Sequence, residues 1–178
     1  KLINKLTKMK KLILFFIIPL IFSCSSEPEI VTVEGLYQIE LPGDMTPIAS
    51  GVMNEDASLQ YANLISEKYL MIIHEDKSEF INIFGEENYF DTYVDFLTNA
   101  LETNYGEDGY TSNIYLNDYS RAAKLFEISG IVDGVDIIWN TIYFEGEDNL
   151  YQICYWTLTG RDYNMVELMN FAKTFREL

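Results

Sequence analysis

Hydrophobic and polar positions along the chain follow two different periods. Residues 34–41 alternate between the two classes and stop at Pro42-Gly43, which is typical of a β-strand that ends in a turn. Residues 58–64 and 67–74 predict two further strands, the second with a continuous apolar run at residues 69–73.

The period changes to that of a helix between residues 88 and 105. Apolar side chains recur there at steps of three and four residues, so we expect one face of this helix to be buried. Asn88 is the predicted N-cap. Gly106 is predicted to follow the last turn, because glycine takes a positive φ at little cost.

A β-hairpin around Asp133-Gly134 is the strongest local signal. A type I′ turn needs a positive φ at two adjacent positions, and this pair supplies it. Counting outward from the turn places Ile128 opposite Trp139 on one face. On the other face it places Leu125 opposite Ile142. Both faces carry apolar side chains, so we expect both to be covered.

The last part of the chain predicts one more strand and a closing helix. Residues 146–149 form the turn before a strand at residues 150–159. Asn164 is the predicted N-cap of the helix, with Glu167 three residues on, as in a capping box. The predicted buried stripe consists of Met165, Leu168, Met169, Ala172 and Phe175. The fold class is therefore α+β, an antiparallel β-sheet with helices packed on its faces.

Composition and charge indicate one acidic globular domain behind a basic leader. The chain has 178 residues, of which 48% are hydrophobic and 15% aromatic, and this suffices for one core. Five of the 12 basic residues precede Cys24, whereas all 28 acidic residues follow it. Such a surface excludes nucleic acid as a partner, because binding to phosphates requires cationic side chains.

Residues 1–23 have the three-part form of an export signal. Lysines come first, an apolar run at residues 12–22 follows, and the small residue Ser23 precedes Cys24. The apolar run is shorter than the roughly 20 residues that a membrane-spanning helix needs, so we interpret it as part of a cleaved signal peptide. Met9 resembles a natural start, which would make residues 1–8 an upstream extension.

Ile21-Phe22-Ser23-Cys24 resembles the lipobox of bacterial lipoproteins. The resemblance implies cleavage between Ser23 and Cys24 and a diacylglyceryl group on the Cys24 thiol. Residues 24–33 would form a flexible tether and residues 34–178 a single domain. An ordinary signal peptide is the alternative, with Cys24 free or paired with Cys154. We disfavour that disulfide, because it would fold a polar tail back onto an apolar strand.

The same resemblance predicts where the protein is found. Ser25 after the cysteine is similar to the residue found in lipoproteins sent to an outer membrane. We therefore expect a lipid-anchored protein of the cell envelope, in the outer membrane, with the lipid bilayer as one partner and an envelope protein as another.

The order of elements resembles the PsbP-like fold, an α/β/α sandwich. The stretches that carry the resemblance lie between Gly35 and the C-terminus: GLYQIELP, LQYAN, KYLMII, FEISGIVDGVDIIW, LYQICYWT and FAKTF. This fold is shared by an extrinsic photosystem II subunit and the Ran-binding Mog proteins. The resemblance implies a non-enzymatic accessory or assembly role, and it transfers no functional residue to this chain.

Candidate chemistry is sparse. The single histidine, His74, lies beside Glu75 and Asp76 and is interpreted as a surface residue, because zinc sites take several His or Cys ligands. Cys154 lies inside a strand pattern and is interpreted as a small buried hydrophobe. No serine lies in a Gly-x-Ser-x-Gly frame. We therefore predict no catalytic residue, no metal and no cofactor beyond the lipid on Cys24.

Acidic residues leave two alternatives open. Residues 54–56, 106–109 and 146–149 are turns that place oxygen ligands beside flexible residues, which suits Ca²⁺, although none has EF-hand spacing. We interpret them as solvated turns, with calcium binding as the alternative. A pair of carboxylates could also serve a small hydrolase or a carbohydrate-active protein, but among 28 acids some pair always qualifies.

Tyrosines crowd the segment that follows the predicted central helix. Tyr105, Tyr110, Tyr115 and Tyr119 alternate with Gly, Asn and Ser, a composition typical of adaptable binding surfaces. We expect a partner-binding face there. The sequence as a whole predicts a membrane-anchored, non-catalytic binding or assembly module, without naming its partner.

Overall fold

The computed structural model describes residues 27–106, 108–116 and 123–178. Within these residues the strands are β1 (Glu29–Val33), β2 (Tyr37–Leu41), β3 (Thr46–Pro47), β4 (Ala57–Asn63), β5 (Lys68–Asp76), β6 (Tyr110–Ile114), β7 (Ala123–Val132), β8 (Val135–Glu145), β9 (Asn149–Leu158) and β10 (Arg176–Glu177). The helices are α1 (Lys77–Phe84), α2 (Tyr89–Tyr105) and α3 (Asp162–Ala172).

Two antiparallel sheets organise the molecule. The larger has seven strands in the order β3-β4-β5-β9-β8-β7-β6, and the smaller has three in the order β1-β2-β10. The α+β prediction is confirmed, with helices packed against an antiparallel sheet.

The hairpin of β7 and β8 has the register that the sequence predicts. Asp133 and Gly134 take φ values of 52° and 81°, and Ile128 lies opposite Trp139. Leu125 lies opposite Ile142 on the other face. The register follows because an Asp-Gly turn fixes the pairing of every residue that follows it outward.

Each face of the large sheet has its own core. On one face α3 and β2 pack against β5 and β9, around fully buried residues such as Leu70, Ile153, Leu168 and Phe175. On the other face α2 packs mainly against β7. The two faces are therefore covered by different elements, as expected from the apolar residues on both sides of β8.

The N-terminal part of the domain differs from the prediction. Residues 29–33, predicted as part of the tether, form β1 and pair with β2, from Glu29 opposite Leu41 to Val33 opposite Tyr37. Glu34 and Gly35 form the turn between them with positive φ, so the strand predicted at residues 34–41 begins at Tyr37. The folded domain thus includes residues that the sequence pattern assigned to a flexible linker.

The two predicted N-caps have different outcomes. Asn88 is the N-cap residue of α2, as predicted, but its backbone is left-handed and its side chain makes no capping hydrogen bond. The predicted cap Asn164 is wrong, because α3 begins at Asp162 and Asn164 lies buried inside it. The helix that the sequence did not predict, α1, is capped by the Asp76 carboxylate, which accepts hydrogen bonds from the backbone N–H groups of Ser78 and Glu79.

A buried cation links three parts of the fold. Lys68 is 4% exposed, and its Nζ lies 2.7 Å from Asp44 Oδ2 and 3.1 Å from Glu167 Oε2. Burial alone would lower the pKa of Lys68, but the hydrogen bonds and charges of both carboxylates raise it above its ordinary value. Glu167 therefore holds Lys68 instead of completing a capping box.

Helix length also bears on the membrane question. Among the residues that the structure describes, no helix is both long enough and apolar enough to cross a bilayer.

Candidate ligand-binding cleft

A cleft of about 720 Å³ lies between α2 and the face of β5, β9 and β8 that α2 covers in part. Its floor comes from alternate residues of the three strands, and one wall comes from the last turns of α2. The principal lining side chains are Met53, Tyr69, Met71, Ile73, Leu97, Ala100, Leu101, Tyr105, Ile137, Trp139, Cys154, Trp156 and Leu158. Asn54, Glu67, Asn104 and Gln152 also line the cleft, so its surface is mainly but not wholly apolar.

The cleft exists because α2 packs over β7 and not over the centre of the sheet. Tyr93 and Val94 of α2 are buried together with Phe126 and Ile128 of β7. The α2-facing side chains of β5 and β9 form a separate small cluster around Met71 and Cys154. A helix over one half of the sheet leaves a groove over the other half.

Four aromatic rings stack across the floor of the cleft, and we call them the aromatic ladder: Tyr69, Trp156, Trp139 and Tyr105. Tyr69 and Trp156 are directly opposed on β5 and β9, with ring centroids 5.3 Å apart and planes at 7°. Trp156 and Trp139 are opposed on β9 and β8, at 4.4 Å and 14°. Tyr105 at the end of α2 completes the stack, 6.3 Å from Trp139.

The ladder determines which part of each ring is available. Trp156 has one face covered by Tyr69 and the other by Trp139. The two indole rings are therefore flanked on their faces by other rings, and their edges are the part that they offer to the cleft. Ring edges carry the positive part of the aromatic quadrupole and suit apolar contact better than stacking on a flat ligand.

The far end of the cleft is polar. A section of about 510 Å³ adjoins the apolar section and shares Asn54, Ile73, Leu97 and Gln152 with it. Its other lining residues are Asp56, His74 and Glu75. Leu97 thus marks the boundary between an apolar groove and an acidic mouth.

Tyr93 brings a buried hydroxyl to this polar end. Its side chain is 1% exposed, and its ring lines a neighbouring section of the cleft that also includes Glu75. The hydroxyl is fully enclosed and lies beside the Glu75 and Gln152 side chains. Burial, and then the charge of Glu75, raise the pKa of Tyr93, so it stays a neutral phenol.

Cys154 lies in the cleft floor as a free thiol that is 3% exposed. The Thr141 hydroxyl donates to its Sγ across 3.6 Å, and Trp139 Nε1 in turn donates to Thr141 Oγ1. Burial raises the pKa of Cys154 from 9.0 to about 12. The side chain packs as a small hydrophobe, as the sequence predicted.

His74 is more enclosed than predicted. It is half-buried, and its ring lies 6.4 Å from Tyr37 and 6.2 Å from Tyr151 between centroids. Its Nδ1 is 3.2 Å from Ser58 Oγ, which donates to the Ile72 carbonyl oxygen. Ser58 sits at a register shift between β4 and β5, so this set of hydrogen bonds holds a β-bulge together.

Comparison with solved structures identifies the architecture. The chain is similar to cyanobacterial PsbP (CyanoP) from Synechocystis sp. PCC 6803, with a TM-score of 0.55 and 11% identity over 88% of this chain and 96% of that one. The chain has a PsbP-like fold. No protein-family model matches the sequence, and no curated protein matches it either.

Two further solved structures are similar to this chain. LpqN, involved in cell envelope biogenesis of Mycobacterium tuberculosis, matches with a TM-score of 0.52 and 11% identity over 88% of this chain and 87% of that one. A Bacteroides thetaiotaomicron structure matches with a TM-score of 0.55 and 10% identity over 86% of this chain. This chain spans 49% of that protein.

The structure separates the tyrosines that the sequence grouped together. Tyr105 belongs to the aromatic ladder, whereas Tyr110 lies opposite Glu127 on the other face of the sheet and is 64% exposed. Tyr115 follows β6 and is 80% exposed. Tyr119 lies outside the described residues, as do the predicted signal cleavage and lipidation positions Ser23 and Cys24.

The three acidic turns lie at different places in the fold. Asn54 and Asp56 line the polar mouth of the cleft, the described residues Gly106, Asp108 and Gly109 follow α2, and residues 146–149 join β8 to β9. Throughout residues 27–106, 108–116 and 123–178, no three His, Cys, Asp or Glu side chains are grouped closely enough to hold a metal ion. The interpretation as solvated turns stays a prediction, with calcium binding as its alternative.

Proposed function

We propose that the protein is a non-catalytic binding module of the bacterial cell envelope, anchored by a lipid on Cys24, whose cleft holds an elongated apolar ligand. One observation carries the proposal: an open apolar groove of about 720 Å³, floored by the aromatic ladder, on the sheet face that α2 leaves partly uncovered. Its volume falls in the range of roughly 300–1,000 Å³ that is typical of small-molecule sites.

The backbone around the cleft favours a small ligand over an extended peptide. A peptide strand binds by pairing with the edge of a sheet. The cleft instead lies over β9, which is hydrogen-bonded to β5 on one side and to β8 on the other. Contacts in the cleft must therefore come from side chains, and most of these are apolar.

The aromatic ladder speaks against a carbohydrate. Sugar rings pack on exposed aromatic faces, but the faces of Trp139 and Trp156 are covered by each other and by the two tyrosines.

The thiol chemistry speaks against a cysteine nucleophile, because catalysis needs a thiolate and burial raises the pKa of Cys154 to about 12. The first observation, on the ladder, concerns the kind of ligand, and the second supports a non-catalytic role.

The envelope location is supported by two independent features. One is the lipobox-like stretch that ends at Cys24. The other is the shared fold with LpqN, a protein involved in cell envelope biogenesis. A lipid anchor would hold the domain at a membrane surface, where apolar ligands are concentrated.

Tryptophan fluorescence provides a direct test. The chain contains two tryptophans, Trp139 and Trp156, and both line the cleft. Titration of the mature protein with the neutral apolar dye N-phenyl-1-naphthylamine should quench the tryptophan emission saturably and enhance the dye emission. Energy transfer from the tryptophans to the dye would show that the dye binds to the folded domain.

A matched pair of variants checks the location. Ala100 is exposed on α2 and lines the cleft, whereas its exposed neighbour Asn99 does not line it. Ala100→Phe should fill the groove and weaken dye binding about tenfold or more, while Asn99→Phe should leave binding unchanged. Absence of saturable binding, or equal binding by two folded variants, would contradict the proposed function.

A further inference from the structure

The turn between β4 and β5 presents two adjacent aliphatic side chains to solvent. Leu64 is 67% exposed and Ile65 is 91% exposed. Exposed turns are built mostly from Gly, Asn, Asp, Ser and Pro, whose backbone preferences or side-chain hydrogen bonds stabilise the turn. Leucine and isoleucine contribute nothing of that kind, so the folding of the turn does not explain them.

Hydrogen bonds hold this turn in place. Asn63 Oδ1 accepts from the backbone N–H groups of Ile65 and Ser66, each at 3.0 Å. The Ser66 carbonyl oxygen accepts from Asn164 Nδ2 at 2.7 Å and from Arg161 at 3.2 Å, both at the start of α3. Because the backbone is already ordered, the turn loses little conformational entropy when a partner binds its two aliphatic side chains.

Other exposed apolar side chains lie at the same end of the large sheet. β5 begins there, β9 ends there, and the hairpin turn joins β7 to β8 there, as the antiparallel registers require. Tyr163, in the first turn of α3, is exposed, and so are Ile131 and Val135 beside the hairpin turn. We call this surface the apolar tip: Leu64, Ile65, Ile131, Val135 and Tyr163.

The first strand enters the fold at this end. Glu29, the first residue of β1, lies opposite Leu41, the last residue of β2. Three residues further on, Asp44 pairs with Lys68, the first residue of β5. Burial, and then the charge of Glu29, raise the pKa of Tyr61, two residues before the end of β4, which also places Glu29 here. The segment that follows the proposed lipid anchor therefore joins the fold at the end that carries the apolar tip.

The distance from the proposed anchor to the fold is short. Five peptide units join Cys24 to Glu29, and they span at most about 18 Å. Leu70 pairs with Tyr61 near Glu29, whereas β5 runs on to Asp76, about 20 Å further along the sheet. A chain that reaches from the membrane to Glu29 therefore holds the apolar tip near the bilayer and leaves the opposite end of β5 away from it.

We infer that the apolar tip docks onto the lipid bilayer, with Leu64 and Ile65 inserted at the level of the phospholipid headgroups. The inference rests on the lipid anchor of the proposed function and adds a second contact, made by the protein, that fixes the orientation of the domain. Burial of apolar side chains at the interface stabilises such a contact. A bilayer is broad and flat, so the β4–β5 turn and the β7–β8 hairpin contact it together.

Charge favours a neutral lipid surface. Glu67, Asp133 and Asp162 lie in or beside the segments that carry the apolar tip. Anionic headgroups would repel these carboxylates, whereas zwitterionic phosphatidylethanolamine and phosphatidylcholine would not. The apolar section of the cleft also reaches this end, through Val135 and Leu158, so docking turns it toward the bilayer.

A fluorescent label reports on the depth of the tip. Ile65→Cys in the lipidated protein is labelled with nitrobenzofurazan, because the Cys24 thiol carries the lipid and Cys154 is buried. In vesicles of phosphatidylethanolamine and phosphatidylcholine, a nitroxide on the acyl chain near the headgroup should quench about half or more of the emission, as expected for a side chain in the interface. Ile83→Cys is the matched control, because Ile83 is also highly exposed but lies on α1, beyond the far end of β5. Its label should keep its emission.

A second pair of variants tests whether Ile65 itself carries the contact. The label is now placed at Tyr163→Cys, elsewhere in the apolar tip. Adding Ile65→Ser should reduce its quenching about twofold or more, because a large aliphatic side chain no longer enters the interface. Adding Ile83→Ser should leave the quenching unchanged. Both isoleucines are exposed, so neither serine should alter the thermal unfolding of the domain.

The outcomes separate docking from the proposed function. Quenching at position 65 and not at position 83 supports the inference. If neither label is quenched, or both equally, while the protein stays lipidated and bound to vesicles, docking fails and the proposed function stands. Crosslinked dimers in the vesicles that Ile65→Ser abolishes would show that a second copy covers the tip, and would overturn the inference. A protein without lipid would overturn both the anchor of the proposed function and the docking.

Discussion

The carbonyl oxygen of Tyr105 lies against the Cα of Gly130, so close that a Cβ on that glycine would be 1.8 Å from the oxygen. The last turn of α2 therefore rests directly on the backbone of β7. This approach brings the Tyr105 ring to Trp139 and completes the aromatic ladder. The glycine is needed here for space, since any larger residue would push the end of the helix away.

Gly130→Ala should separate α2 from β7 and disturb the ladder. The new Cβ would clash with the Tyr105 carbonyl group, and neither can move without moving the backbone. We therefore expect a loss of about 2–3 kcal/mol in the free energy of unfolding, measured by urea denaturation. The near-ultraviolet circular dichroism of the stacked rings should weaken as Tyr105 leaves Trp139.

Gly51→Ala is the matched control. Gly51 has a φ of 80° and open space around its Cα, so alanine there should cost only about 1–2 kcal/mol of backbone strain. Its near-ultraviolet spectrum should equal that of the wild type. An unchanged spectrum in Gly130→Ala as well would show that the close contact does not position the ladder.

Substitutions at Asn164 test whether its role is set by tertiary hydrogen bonds or by a local capping pattern. Its Nδ2 donates to the Ser66 carbonyl oxygen at 2.7 Å and to Thr157 Oγ1 at 2.9 Å, and the residue is fully buried. Asn164→Asp replaces the donor by an acceptor and should lower the free energy of unfolding by about 3 kcal/mol or more. Asn164→Ala, which introduces no charge, should cost less.

A capping residue would behave in the opposite way. Aspartate is as good an N-cap as asparagine, so a cap at position 164 would tolerate Asn164→Asp. Thermal unfolding that is unchanged in Asn164→Asp would therefore contradict the buried donor role.

The sequence predicted most of the large sheet, because its registers follow from local turns. Asp133-Gly134 determines the pairing of β7 with β8, and the turn at residues 146–149 determines the pairing of β8 with β9. The register of the second hairpin alone would have placed Trp139 opposite Trp156, but the prediction assigned that hairpin no register. Tyr69 joins the aromatic ladder through the pairing of β5 with β9, which no local turn determines.

The errors arose where long-range contacts decide the structure. Asn164 and Glu167 satisfy a local capping pattern. In the structure, however, Asn164 binds Ser66 and Glu167 binds Lys68, both far away in sequence. No local pattern reports such partners. β1 was missed for another reason, because Glu34 and Gly35, which form the turn of a local hairpin, were assigned to the strand that follows them.

Cys154 should make the stability of the domain depend on pH above 9. Its pKa is about 12 in the folded protein and about 9 when unfolded, so ionisation favours the unfolded state between these values. The stability that the buried, neutral thiol contributes to the fold is fully present below pH 9 and is lost as the pH rises toward 12. Between pH 9 and 10 the wild type should lose about 1 kcal/mol more than Cys154→Ala in urea denaturation.

A labelling experiment checks whether the Cys154 thiol is buried in the folded protein. Ellman's reagent should react with Cys154 in native mature protein only as fast as the fold opens, and at once in guanidinium chloride. Equal pH slopes for wild type and Cys154→Ala, together with rapid native labelling, would show that the thiol is accessible and its pKa ordinary.

Cys24→Ala should move the protein from the membrane fraction to the soluble fraction. Each buried methylene contributes roughly 0.8 kcal/mol to membrane binding, so loss of two or more acyl chains removes the anchor. In an exporting bacterial host, the wild type should incorporate labelled palmitate and Cys24→Ala should not. Cys154→Ala is the matched control: it removes the other cysteine, which is buried in the domain, and should leave lipidation and fractionation unchanged. Persistence of Cys24→Ala in the membrane fraction would mean that another feature of the protein holds it there, and the lipobox interpretation would be wrong.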